Sequence, residues 1–218
     1  MTDGVRPMHA AAGISGVLHA LAPLRGRRTF DDLHRPALVV VDLQRLFCDP
    51  ASPAALPDWP ACVLPLRALV AAFRRATCPV IFTRHVHPDD DVGGLMGRFF
   101  DRLPRAGEVL AALDPALEDL WSTGPVVDKC RHSIFSAAEL PALLDGCDAL
   151  VLAGVQTPLC IAASALDASQ VGLVPVVSID ATAARSAQQH LAALQTLAAG
   201  HAHVATVDEI LDAWGWQH

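Results

Sequence analysis

The chain has 218 residues, 52% of them hydrophobic and 18% charged, which suits one soluble globular domain with a full core. A net charge of −7 argues against a nucleic-acid binder, which needs a basic face for phosphates. No apolar run reaches the roughly 18 residues that would span a bilayer, so no membrane partner is expected.

The six cysteines, Cys48, Cys62, Cys78, Cys130, Cys147 and Cys160, form no CxxC pair. Scattered thiols in a chain of this length point to a reducing, cytoplasmic setting rather than a disulfide scaffold or a zinc finger. No secretory signal is evident either: the mildly apolar segment from Ala10 to Leu24 is interrupted by Gly, His and Pro.

In chain order, residues 1–35 read as an N-terminal extension, with a weak helix near Ile14 to Ala22 and a basic cluster from Arg25 to Arg28. Such an arm packs on its own subunit or on a partner, and nothing in it suggests chemistry. The domain proper is expected over 36–218. It starts with Ala37 to Val41, ALVVV, a continuous β-branched run typical of a strand buried on both faces.

That strand runs into Asp42. A carboxylate at the end of a buried strand either caps the following turn or has a task, because desolvating it alone is costly. After a Pro-rich loop, a helix is predicted from about Cys62 to Ala76, then a second strand over Val80 to Thr83. It ends in Arg84-His85-Val86-His87, followed by an acidic loop, Asp89 to Gly97, long enough to face a substrate, with Met96, Phe99 and Phe100 as apolar walls.

Two short helices are predicted around Ala106 to Leu113 and Pro115 to Leu120, and a third strand at Val126 and Val127 leads into Asp128-Lys129-Cys130-Arg131-His132. A helix near Glu139 to Leu144 precedes a fourth strand, Ala149 to Ala153. A Gly-containing turn follows, then a helix entered through Thr157 as N-cap and Pro158. This places Cys160 in a first helical turn, where the macrodipole favours thiolate; the alternative is a small buried hydrophobe. A fifth strand, Val174 to Ile179, ends in Asp180. A helix from Ser186 to Ala199, a strand at His203 to Thr206 and a helix after Asp208 close the chain.

This β-then-α order predicts an α/β fold: a single doubly wound, mostly parallel sheet with helices on both faces, a Rossmann-like three-layer αβα arrangement. In such sheets ligands bind outside the carboxyl ends of the strands. Asp42, His85, His87, Lys129, Cys160 and Asp180 all fall at such ends. A thiol, a carboxylate and a lysine on one rim form a coherent set for acyl transfer: nucleophile, proton carrier and charge partner.

The motifs VVVDLQ with Asp42, VVDKCRHSIF with Lys129, and LAGVQTPLCIAASALDA with Cys160 resemble the isochorismatase-like cysteine hydrolases, which include nicotinamidase, N-carbamoylsarcosine amidase, ureidoacrylate amidohydrolase and biuret hydrolase. The resemblance runs from about Ala37 to Ala205. It implies the triad Asp42, Lys129 and Cys160, a cis peptide between Val155 and Gln156, and an oxyanion hole from the main-chain N–H groups of Gln156 and Cys160. It also implies a homo-oligomer, dimer or tetramer, acting on a small molecule.

Retention of Cys160 favours C–N cleavage over the vinyl-ether cleavage of true isochorismatases. The ether hydrolase stays as the alternative, beside a non-catalytic binding protein on the same fold. Nicotinamidases carry an Asp-x-His pair and a WPxHC segment that bind a divalent metal; here the pair reads His85-Val86-His87 and WPxHC is missing. Two imidazoles so spaced on a strand suit a metal. The reading adopted has no metal and no cofactor, with His85 and His87 lining the substrate pocket or bonded at its rim. Arg84 and Arg131 are candidates for a substrate carboxylate, through paired hydrogen bonds, and Phe99 for an apolar wall.

Overall fold

The computed structural model describes residues 11–25, 30, 32–88, 94–100 and 103–216. Arg27 and Arg28 of the basic cluster and residues 89–93 of the acidic loop lie outside the described residues. Six strands, β1 (Pro36–Val41), β2 (Val80–His85), β3 (Val126–Lys129), β4 (Ala149–Val155), β5 (Val174–Ala183) and β6 (His203–Ala205), make one parallel sheet. The strand order is β3-β2-β1-β4-β5-β6.

The apolar runs dictate the layers. Every residue of β1 is buried, because alternate side chains enter different cores. Leu38 and Val40 meet Leu66, Leu69 and Phe73 of α3 (Trp59–Arg75) and Ile210 of α8 (Val207–Ala213). Val39 and Val41 meet the other layer: Leu21 of α1 (Ala11–Leu21), Leu140 of α5 (Leu140–Leu143), Ala165 of α6 (Ala162–Gln170) and Leu194 of α7 (Ala187–Ala198). Two four-residue helices, α2 (Arg45–Cys48) and α4 (Glu118–Trp121), complete the set. Val17 and Leu21 are buried, so α1 packs on its own subunit. Among the described residues no helix is long and apolar enough to cross a membrane.

The chain builds β1 to β3 outward, then returns to place β4 on the free side of β1. The switch point therefore lies between the carboxyl ends of β1 and β4, where a crevice opens. Here Val41 pairs with Gly154, and the two backbones approach so closely that a Cβ on Gly154 would sit 2.2 Å from the Val41 carbonyl oxygen. Gly154 also has φ +100°, a region side chains disfavour. Gly154→Ala is expected to cost about 3–5 kcal/mol, a fall in Tm of roughly 10 °C by calorimetry, since strain and overlap add.

Beside the helix predicted around Ala106 to Leu113, of which only a 3-10 turn at Val109–Ala111 forms, three local expectations need correction. Thr157 is not the helix cap: Gln156 holds that position, and Thr157–Ile161 forms a π turn before α6. The Thr157 hydroxyl instead lies 2.8 Å from His190 Nδ1, while His190 Nε2 lies 3.1 Å from the Ile179 carbonyl. A carbonyl only accepts, so Nε2 carries the proton and Nδ1 takes the hydroxyl's. Second, Asp180 does not end its strand. β5 pairs Val177 with Leu152 but Thr182 with Gly154, so residues 178–181 form an excursion within it. Asp180 there accepts from Ser178 Oγ and the Val207 N–H, a structural task at the start of α8. Third, α8 starts before Asp208, because Thr206 and Glu209 form a capping box.

Candidate active site

Asp42 follows β1 in a left-handed conformation, φ 55°, that few residues other than Gly, Asn and Asp adopt readily. Thr83 of β2 holds it: its hydroxyl donates to Asp42 Oδ1 at 2.7 Å, and its main-chain oxygen accepts the Asp42 N–H at 3.2 Å. This leaves Oδ2 directed at Lys129 Nζ, 2.8 Å away, with both side chains fully buried. The ion pair leaves Oδ2 the one buried side-chain oxygen or nitrogen among the described residues with no well-formed hydrogen bond. It keeps the capacity to take a proton.

Lys129 comes from the end of β3, where the register sets it opposite His85 of β2. Its ammonium also donates to the Arg131 main-chain oxygen at 3.0 Å and lies 3.3 Å from both His85 Nδ1 and Cys160 Sγ. Cys160 sits in the π turn at 4% exposure. Ser164 Oγ donates to the Cys160 carbonyl and accepts the Ile134 N–H, tying the turn to the segment after β3. The cis peptide falls between Val155 and Gln156.

The charges are coupled. Burial alone would lift the Asp42 carboxyl, but the Lys129 ammonium and the Thr83 hydrogen bond outweigh it and hold Asp42 below the usual range. Burial opposes the Lys129 charge, yet Asp42 and Cys160 raise its pKa. Burial, reinforced by Asp42, pushes the Cys160 thiol up to about 12. The expected thiolate is therefore absent at rest: the turn's dipole is outweighed by desolvation and a facing carboxylate.

Iodoacetamide alkylation of Cys160 is accordingly expected to quicken about tenfold per pH unit between about pH 7 and 10 without levelling, whereas an ordinary thiol levels off above about 8.5. Mass spectrometry of the peptide bearing Cys160 measures this separately from the other five thiols.

The histidines surround this pair. Burial, with Lys129 beside it, lowers His85 to about 3, so it is neutral near pH 7. His85 Nε2 lies 2.7 Å from His87 Nε2, and the two rings stack. The ammonium only donates, so His85 Nδ1 accepts; its proton rests on Nε2 and is donated to His87. Gln44 locks the strand end, accepting the His85 N–H and donating to the carbonyls of His85 and Ala111.

Of the residues singled out in the sequence, Asp42, Lys129, Cys160, His85 and Gln156 come together at the switch point, with His87 behind His85. Others do not. Arg84 is drawn into a two-bond ion pair with Asp128, its cross-strand partner, at 2.7 and 2.8 Å. Arg131 is exposed and supplies the site its carbonyl, while its guanidinium donates to the Cys130 carbonyl. Phe99 is 73% exposed; its neighbour Phe100 packs edge-on against His132.

His132 is the residue that sequence reasoning missed. Its Nδ1 lies 3.7 Å from Cys160 Sγ, and burial lowers its pKa. Its only signal was its place three residues after Lys129. Among the described residues, the ring nitrogens of His85 and His132 and the sulfur of Cys160, all within 4.8 Å of one another, are the group within reach of one metal ion.

Comparison with known proteins extends these observations over the chain. It is 29% identical over 183 residues to nicotinamidase 3 of Arabidopsis thaliana, covering 80% of this chain and 86% of that one. It is 32% identical over 179 residues to maleamate amidohydrolase of Pseudomonas putida, covering 79% and 83%. The solved structure of N-carbamoylsarcosine amidase from Thermoplasma acidophilum superimposes with a TM-score of 0.66 at 26% identity, over 80% of this chain and 98% of that chain. An isochorismatase domain model matches residues 36–209, from the first residue of β1 into α8, and the chain belongs to the isochorismatase family.

Proposed function

We propose that the protein is a cysteine-dependent amidohydrolase that cleaves the C–N bond of a small linear amide or a carbamoyl or ureido compound through a thioester. The observation that carries this reading is the buried contact of Cys160 Sγ with Lys129 Nζ, itself paired to Asp42. The similar proteins nicotinamidase, maleamate amidohydrolase and N-carbamoylsarcosine amidase bear the names of amide-cleaving enzymes, which supports it.

In the first half-reaction the thiol proton passes to Asp42 as sulfur attacks the carbonyl carbon. The two groups titrate as a pair. Once Asp42 is neutral it no longer opposes a negative sulfur, and the Lys129 ammonium faces the new thiolate alone. The main-chain N–H groups of Gln156 and Cys160 receive the oxyanion. Asp42 then returns the proton to the departing nitrogen. In the second half a water gives its proton to Asp42, attacks the thioester and releases the acid, and the thiol reforms.

The six free thiols support a reducing, cytoplasmic setting. The reading is tested by screening small amides, carbamoyl compounds and ureides for ammonia release. Turnover that depends on Cys160 supports it. Turnover that survives loss of the thiol, or no turnover of any amide, overturns it.

A further inference from the structure

The proposed reaction uses the Cys160 sulfur but leaves the two imidazoles beside it without a task. We infer that His85 Nδ1, His132 Nδ1 and Cys160 Sγ form a site for a borderline-soft divalent cation such as Zn²⁺, and that this ion caps the nucleophile and switches the enzyme off.

The two sulfur–nitrogen edges are close to those of a tetrahedral site. Cys160 Sγ lies 3.9 Å from His85 Nδ1 and 3.7 Å from His132 Nδ1. An ion bound at usual Zn–S and Zn–N lengths sets sulfur and nitrogen about 3.6 Å apart, so shifts of a few tenths of an ångström close these two edges, and the three ligand atoms all lie within 4.8 Å of one another. The ligand set of one sulfur and two imidazoles suits zinc better than calcium or magnesium. Both rings are prepared for the role. Their burial disfavours the imidazolium form, so each offers a neutral lone pair. His85 has its proton on Nε2, donated to His87 Nε2 at 2.7 Å. A hydrogen bond from the far nitrogen to a second group is the arrangement that orients a metal-ligating histidine.

Lys129 opposes the ion. Its ammonium lies 3.3 Å from both Sγ and His85 Nδ1, its two longest polar contacts. It keeps its shorter contacts, 2.8 Å to Asp42 and 3.0 Å to the Arg131 oxygen, when the metal takes over the other two. Asp42 balances the lysine, and the thiolate balances one of the two metal charges. The site is therefore weaker than a dedicated structural zinc site, as suits a reversible inhibitor. On binding, the S–H bond breaks, an S–metal bond forms, and the proton leaves to solvent; no electron is transferred. The fourth position stays open to water.

The full chain, stripped of metal with a chelator, is titrated with Zn²⁺ by calorimetry in buffers of different ionisation enthalpy, and with Co²⁺ by absorption. One ion is expected to bind with release of one proton, and Co²⁺ is expected to give a sulfur-to-metal charge-transfer band. Cys160→Ser, checked for folding by circular dichroism, is expected to lose the band. His132→Gln is expected to weaken binding about tenfold or more. A band that persists in Cys160→Ser overturns the inference. So does binding that is lost in His87→Gln but untouched in His132→Gln, which assigns the ion to the His85–His87 pair.

The inference rests on the proposed function only in calling the ion an inhibitor, and the two fail separately. A charge-transfer band without amide turnover removes the amidohydrolase reading alone. Turnover without a band removes the metal site alone.

Discussion

Cys160→Ser is expected to lower kcat/KM for any amide substrate by about four orders of magnitude, to near the rate left by binding and oxyanion stabilisation alone. A hydroxyl fills almost the same volume but is a far weaker acid than a thiol, and Asp42, held below the usual carboxylate range by Lys129, is too weak a base to deprotonate it. Thermal stability is expected to change by only about 1 kcal/mol, because Ser164 and the π turn hold the backbone independently of the sulfur. Ammonia release with wild type and variant, beside calorimetry of both, measures the two effects. A loss of a few fold would place the chemistry on another group.

Lys129→Met is expected to remove turnover and to cost about 3–5 kcal/mol of stability, a fall in Tm of roughly 10 °C. Methionine matches the stem of lysine, so the loss comes from charge: Asp42 is left buried with its countercharge gone. The sign with pH follows. In the wild type the Asp42 pKa is lowered, so its contribution is present above about 3.9, its unfolded value, and disappears as pH falls through the folded one. The Lys129 pKa is raised, so its contribution is full below about 10.4 and disappears above it. In the variant, burial is opposed on Asp42 by the Thr83 hydrogen bond but no longer by an ammonium, and its pKa rises, which costs stability near neutrality and nothing in acid. The gap in Tm between wild type and variant should therefore narrow as pH falls from about 7 towards 4. A gap that is constant with pH would mean that packing, not charge, is what Lys129 contributes.

What could be read in the sequence was whatever a short window carries. The apolar runs of β1 and β4 announce strands buried on both faces, and because the sheet is parallel, each chemical residue just past such a run lands on one rim. Asp42 and Cys160 were legible for that reason, Lys129 from its place after the short run Val126-Val127, and so was the three-layer fold. Register was not. Arg84 looks like a substrate anchor until β2 and β3 are aligned, when Asp128 falls opposite it and takes both its hydrogen bonds. The same alignment brings His85 to Lys129. Phe99 and Phe100 are equivalent in a one-dimensional reading; only the path of the loop sends one to solvent and the other to His132. Thr157 and Pro158 carry an ordinary helix-start signal. A distant residue, His190 of α7, recruits the hydroxyl that would have made the cap.

The edge position of β3 has an evolutionary corollary. This strand is four residues long and pairs only with β2, and the Lys129–Asp42 pair ties its end past β2 to the end of β1. The cysteine fastens nothing comparable. If a descendant of this gene were released from selection for the proposed catalysis, drift would remove the sulfur first and spare the lysine and the aspartate, since losing either of those costs stability. In a lineage of such proteins, an intact acid–lysine pair is therefore expected from architecture alone, and the residue at position 160 is the one that bears on the proposed activity.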